Sequence, residues 1–422
     1  MLNISGDIKQ KDELVEKLIL FIIWPFAAFI YSLKDAASRS SYVIYFLFGV
    51  ALCWHMDTNF SLGAHYDDLQ GIMSRFRDFN MTWDQLKWQF NEYFGFTGRS
   101  EKELYGISMM WFVKQYTNNP HTYFALSAVI YLIFFLNCLK RITSDPNFDN
   151  SVYCLIILLL FVLPRDIITV QNPRYCTAMW MAVMGTFNYF LADRNRQWNI
   201  LWIVFAPLFH SGLWAYAIIF TIGQIVITSI DRKIWWFYLC SIPFSFVSYD
   251  LISKVDIWSL PIPDNFKLWI SWHFNEESVS HLRNNTGASG FFWIGQGFAF
   301  LKKIAYIGLL FVLKRYIEEI EDNRNLYKFF LFFVFYAAVV NFIQIVPVLG
   351  QRSYFVTRIL SMYFWIKMVY PRNNKYLLFV LAACSWEIFQ RYLYNGAVNS
   401  SVPRIFFVEP LPNIIMDYWD AV

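Results

Sequence analysis

Apolar stretches of roughly 17–23 residues recur along most of this chain, close to the ~20 residues a helix needs to cross a bilayer core. They predict helices over 18–33, 42–55, 121–139, 151–170, 174–191, 198–209, 211–229, 234–251, 291–313, 326–346, 352–370 and 375–392. The block 198–230 is too long for one span, and Pro207 and Gly212 divide it into two helices that meet near His210. Ten-residue segments of alternating polarity are absent, which excludes an outer-membrane barrel. The pattern therefore predicts an all-α, polytopic integral membrane bundle of about 11–12 transmembrane helices, with residues 1–422 forming one membrane domain. Three stretches fall outside the spans: a large loop at 55–120, a second at 252–290 and a C-terminal tail at 393–422. Within the first, residues 101–116 set Leu104, Ile107, Trp111 and Phe112 at helical spacing. That spacing predicts an amphipathic helix, too short to span, lying at the interface.

Composition supports the membrane reading and removes alternatives. Hydrophobic residues make up 57% of the chain and charged residues only 16%, too few for the surface of a soluble protein of this length. The six cysteines lack CxxC spacing, and five lie in or at the ends of apolar spans, so neither a disulfide framework nor a metal site is expected. No cleavage-site pattern follows the first residues, so no signal peptide is expected. The net charge of +4 matters less than where the charges fall. Lys140-Arg141, Arg194 with Arg196, Arg232-Lys233, Lys314-Arg315 with Arg324, and Arg372 with Lys375 are consistent with one cytoplasmic side. Segments 55–120, 164–174, 252–290, 347–352 and 393–422 then face outward, and His210 falls on that side too. The first span has basic residues on both flanks, so its orientation stays open.

Ionisable groups inside or at the lip of a span are costly and therefore mark candidate sites. Arg174 follows Pro173 at an outer helix start, where a guanidinium and a helix N-terminus both favour a phosphate or pyrophosphate; snorkelling to headgroups is the competing reading. His210 sits at the helix break, and its near-neutral titration suits a general base acting on a sugar hydroxyl. A buried histidine satisfied by a carbonyl is the alternative there. Arg352 and Arg358 open another outer helix; six residues apart, they do not share one face, and the deeper Arg358 needs a partner or a wet cavity. Asp67 and Asp68 in the first loop offer paired carboxylates for sugar hydroxyls or for base work, against a solvated loop as the plainer reading. Glu103 opens the amphipathic helix, and Arg165 with Asp166 closes an apolar run, where the two would also satisfy each other. No Walker A loop, dinucleotide loop, H-E-x-x-H or G-x-S-x-G occurs, so ATP-driven transport and zinc proteolysis are unsupported and no nucleic-acid partner is expected.

These residues form an ordered set. Glu103-Leu-Tyr105-Gly106 comes first, then Asn172-Pro-Arg174-Tyr175-Cys176-Thr-Ala-Met, then Phe209-His210-Ser211-Gly212-Leu213, then Gly350-Gln-Arg352-Ser-Tyr354-Phe355. The order resembles the EpsG family of Wzy-like bacterial polysaccharide polymerases over roughly residues 40–370, with Cys176 standing where that family often has Gly. The resemblance implies a GT-C-like membrane glycosyltransferase without cofactor or metal, multi-pass in the bacterial inner membrane, its active site facing the periplasm or exterior. It implies polyprenyl-pyrophosphate-linked oligosaccharides as donor and acceptor, and a chain-length regulator as a protein partner. Arg174 and Arg352, with Arg358, Asp68, Glu103 and Arg165 as further binding candidates, would hold pyrophosphate or sugar, and His210 or Asp67 would activate the acceptor hydroxyl. The neighbouring readings are a ligase or single-addition enzyme using a lipid-linked donor, a lipid-linked oligosaccharide flippase, and a membrane O-acetyltransferase. A flippase would favour internal symmetry, and no repeat is visible.

Overall fold

The computed structural model describes residues 13–56, 66–95, 104–166, 173–191, 196–230, 233–247, 292–317, 323–394 and 404–416, and among these residues there is no strand. The chain opens with α1 (Leu14–Ile23) and α2 (Pro25–Ser32), followed by α3 (Arg39–Trp54). Residues 18–33 are therefore not one straight span. Trp24 adopts an extended conformation between the two pieces, and Pro25 restarts the helix at a position where its missing N–H costs nothing. The first loop then contributes α4 (Tyr66–Arg77), α5 (Trp83–Phe94) and α6 (Leu104–Lys114). Next come α7 (Pro120–Thr143), α8 (Val152–Val162), α9 (Pro173–Leu191), α10 (Ile200–Phe209), α11 (Trp214–Ile230) and α12 (Ile234–Ser241). The C-terminal part holds α13 (Phe292–Lys314), α14 (Arg324–Ile343), α15 (Pro347–Phe364), α16 (Asn374–Ile388) and α17 (Leu411–Met416).

Among the described residues only α7, α13 and α14 are long and apolar enough to cross a membrane by themselves; α3, α8, α10, α11 and α12 are shorter apolar helices. The core forms around α9 and α14. Residues Phe329 to Ala338 of α14 are buried on every side, as expected of a helix that is apolar all round. In α9, Ala178, Ala182 and Gly185 lie along one stripe, and small residues let helix backbones approach. A Cβ at Gly185 would stand 2.8 Å from Ile203 Cγ1 and 3.0 Å from the Asn199 carbonyl oxygen, so α10 packs directly on this stripe.

A buried cation and the C-terminal tail shape the periphery. Lys17 is fully buried and donates to Asp35 at 2.6–2.7 Å and to Ser40 and Ser41 at 2.9 Å, which ties α1 to the start of α3. The tail is part of the bundle as well: α17 packs on α1 and α3, Phe406 and Ile414 are buried, and Trp24 Nε1 donates to the Phe407 carbonyl at 2.6 Å.

The amphipathic helix expected over 101–116 begins at Leu104, and it does not lie with one face open. Leu104, Tyr105, Gly106, Ile107, Met109, Met110 and Val113 are all buried, because α6 is wedged among α5, α7 and α10. Phe112, counted to its apolar face, is one of the exposed residues. The loop segment 252–290 lies outside the described residues.

Candidate functional site

The helix break expected near Pro207 and Gly212 occurs at His210. Pro207 sits inside the last turn of α10, and His210 takes an extended conformation between Phe209 and the 3-10 turn Ser211–Leu213. There its own side chain caps the next turn: the Gly212 N–H donates to Nδ1 at 3.0 Å. The ring is 7% exposed, and its other nitrogen, Nε2, lies 3.4 Å from Nη1 of Arg352 near the start of α15.

Tyr175 is the centre of this arrangement, a residue that carried no assignment in the sequence. Its ring meets the His210 ring edge-on, with centroids 5.2 Å apart. Two guanidiniums lie over the same tyrosine ring, Arg352 at 4.9 Å and Arg165 at 5.1 Å. The Tyr175 hydroxyl donates to the Arg352 carbonyl at 3.0 Å, which fixes α9 against the second turn of α15. Arg165 also lies 4.5 Å over the Phe355 ring. Its backbone is pinned by two donors to its carbonyl, the Tyr131 hydroxyl at 3.0 Å and Trp180 Nε1 at 3.2 Å. Arg165 Nε is buried and has no hydrogen-bond partner among the described residues. Next to it in sequence, Asp166 accepts from the Tyr392 hydroxyl at 2.6 Å through Oδ2.

Arg174 leaves α9 on the neighbouring side. Its stem runs against α6, where a Cβ at Gly106 would meet Arg174 Cδ at 3.2 Å. The preceding residue, Tyr105, stacks on Phe209 with centroids 4.4 Å apart, directly before His210. One wall of the site is therefore α6, a helix of the first loop.

Arg358 does not join this cluster. It is fully buried one and a half turns deeper in α15, where Nη1 donates to Glu387 Oε1 at 3.0 Å and the guanidinium lies 5.4 Å over the Tyr306 ring. Lys302 also donates to Glu387 Oε2 at 2.8 Å, so one carboxylate serves two cations. Asp67 and Asp68 fall in the first turn of α4 with side chains outside the described part, and Glu103 lies outside the described residues. Among the described residues no group of His, Cys, Asp and Glu is arranged to hold a metal ion.

Chemically, two guanidiniums and an imidazole meet on one buried ring. Like charges held together in a poorly screened place favour an anion between them. His210 sharpens this. With Nδ1 accepting from a backbone N–H, the neutral ring carries its proton on Nε2, so Nε2–H and the Arg352 N–H face one another as two donors. An oxygen of an anion placed beside them accepts from both.

The four short motifs thus converge on one place: Tyr105-Gly106, Arg174-Tyr175, Phe209-His210-Ser211-Gly212 and Arg352 with Phe355. Residues 72–402 match the model of the EpsG family. The chain belongs to the EpsG family. No curated protein and no solved structure matches it. EpsG membership together with the apolar helices makes it a helical integral membrane protein of polysaccharide biosynthesis, with a polymerase of the Wzy-like kind as the family's general activity. The match spans every motif gathered at Tyr175.

Proposed function

We propose that this EpsG protein polymerises oligosaccharide repeat units carried on polyprenyl pyrophosphate, working at the outer face of the bacterial inner membrane. The observation that carries the reading is the pair of guanidiniums, Arg165 and Arg352, brought from distant segments onto the ring of Tyr175 beside His210. A pyrophosphate is the anion that such a fork-shaped, always-charged pair suits, and a pyrophosphate leaves in this reaction.

In the proposed step, the acceptor hydroxyl oxygen attacks the anomeric carbon of the donor glycan. The bond from that carbon to the pyrophosphate oxygen breaks, and the electron pair leaves with polyprenyl pyrophosphate. Arg352, Arg165 and Arg174 stabilise the charge that develops on the leaving oxygen. His210, with its proton on Nε2, donates a hydrogen bond to the same group. Taking a proton at Nε2 would require the ring to release Gly212, so the acceptor's proton falls to a carboxylate, with Asp67 the candidate.

The test is the polymer made by a host lacking its own copy and complemented with variants. Arg165→Ala and Arg352→Ala should each abolish the ladder of repeats, a loss of about 10²-fold or more, while single lipid-linked repeats accumulate. A normal ladder from stably inserted variants would overturn the assignment. A single-addition product from the wild type would point instead to a ligase.

A further inference from the structure

A second concave site lies outside the arginine cluster, between the end of α4 and the first turns of α5. It is a cavity of about 570 Å³. Arg75, Asp78, Asn80, Gln85, Trp88 and Gln89 line it. That volume is within the range of small-ligand pockets, and with Phe79 and Met81 completing the lining its surface is polar and apolar in equal parts. Trp88 is 46% exposed and presents an indole face. Asp78 and Asn80 are exposed, and neither side chain makes a hydrogen bond to another described residue. Gln85 uses its Oε1 to accept from the Thr82 N–H at 2.8 Å, which fixes the side chain and leaves its NH₂ as a donor.

An aromatic face set among one carboxylate, three carboxamides and one guanidinium suits a ligand with apolar C–H faces and many hydroxyls. Carboxylates and carboxamides bind adjacent hydroxyls in pairs, and a tryptophan ring covers a flat C–H face while its N–H stays available. With one acidic and one basic side chain, the lining does not select for a strongly charged ligand.

The position of the cavity supports the same ligand. Both of its walls are bound to α6. Lys114 of α6 donates to the Arg77 carbonyl at 3.2 Å, closing the end of α4, and its ammonium lies 4.9 Å over Phe76. On the α5 side, Trp83 and Trp111 pack with centroids 5.2 Å apart, and Leu86, Leu104 and Ile107 form a small apolar cluster between the two helices. The opposite side of α6 carries Tyr105 and Gly106 against Phe209 and Arg174. One buried helix therefore joins this cavity to the wall of the arginine cluster.

We propose that the α4–α5 cavity is a glycan-binding subsite that holds a hydroxyl-rich oligosaccharide segment of the substrate while its pyrophosphate end is at the arginine cluster. This rests on the polymerase reading for its role, although sugar binding in the cavity is measurable by itself. Holding the glycan by its sugars keeps the chain near the site between additions, so loss of the subsite shortens the product rather than stopping the joining step.

The experiment uses the full-length protein in nanodiscs and oligosaccharides released by partial hydrolysis of the host's own polymer. Wild type and Arg352→Ala should bind these oligosaccharides equally, read by saturation-transfer NMR and tryptophan fluorescence. Trp88→Ala, and independently Asp78→Asn with Asn80→Ala, should weaken binding by about tenfold, while Trp88→Phe largely restores it. In the complemented host, Trp88→Ala should shift the ladder to shorter chains. Unchanged oligosaccharide binding in both groove variants overturns the proposal. If Trp88→Ala loses sugar binding while even the wild type restores no ladder in that host, the subsite stands and the polymerase reading fails; a full ladder from Arg352→Ala overturns only the arginine assignment.

Discussion

Arg352 holds Nη1 3.4 Å from Nε2 of His210, on the ring nitrogen opposite the one capped by Gly212. The nitrogen that accepts from the backbone decides the chemistry of the other one. A neutral imidazole has one donor and one acceptor, and the backbone has already claimed the acceptor.

The first prediction separates donor from base at His210. Glutamine places a donor NH₂ where Nε2–H stands, but it cannot take up a proton. His210→Gln should keep measurable polymerisation, whereas His210→Ala should lose about 10²–10³-fold. Rates from membranes with purified lipid-linked substrate, followed against pH, decide the matter. Equal loss in both variants would restore the base assignment.

Tyr175 is expected to act through its ring more than through its hydroxyl. Tyr175→Phe removes only the bond to the Arg352 carbonyl, worth about 1 kcal/mol, and should leave most activity. Tyr175→Leu removes the face under both guanidiniums, each contact worth about 0.5–2 kcal/mol, and should cost polymer length and rate together. The gel ladder and the turnover rate are the readouts.

Two glycines should respond in opposite ways. Gly106→Val pushes the Arg174 stem aside, so polymerisation should fall roughly tenfold to hundredfold while thermal stability in detergent changes little. Gly185→Val meets the Asn199 backbone oxygen and Ile203, which cannot give way so easily. Overpacking there should cost about 1–3 kcal/mol and lower the melting temperature before it touches the chemistry.

Arg358 is predicted to be structural. Removing one partner of a buried ion pair leaves an uncompensated charge and costs about 3–5 kcal/mol, with Lys302 reducing the penalty on the Glu387 side. Arg358→Met should therefore lower the yield of folded protein, and Arg358→Met with Glu387→Met should recover part of it. Polymer made per folded molecule should stay near wild type. A specific loss of polymerisation with normal yield would return Arg358 to the site.

Some of the local structure was legible along the chain. Thr82-Trp-Asp-Gln85 is a capping box, and α5 starts there with both reciprocal bonds formed. That signal marks a second helix in the first loop, beside the one expected over 101–116. The break at His210 was also visible, because an apolar block of that length needs one. What the sequence did not show is that the His210 side chain itself caps the next turn.

The offset of six residues between Arg352 and Arg358 already said that the two face differently on one helix. It did not say that one would find Tyr175 and the other Glu387. Those partners come from segments 177 and 29 residues away. Hydrophobic periodicity and the cost of charge in an apolar span are local properties, so the sequence alone determined a helical membrane protein with a few costly cations and a helix break near His210. Which cations share a ring, which is neutralised, and which nitrogen of His210 holds the proton depend on helix rotation and packing across the bundle, and only the tertiary structure decided them.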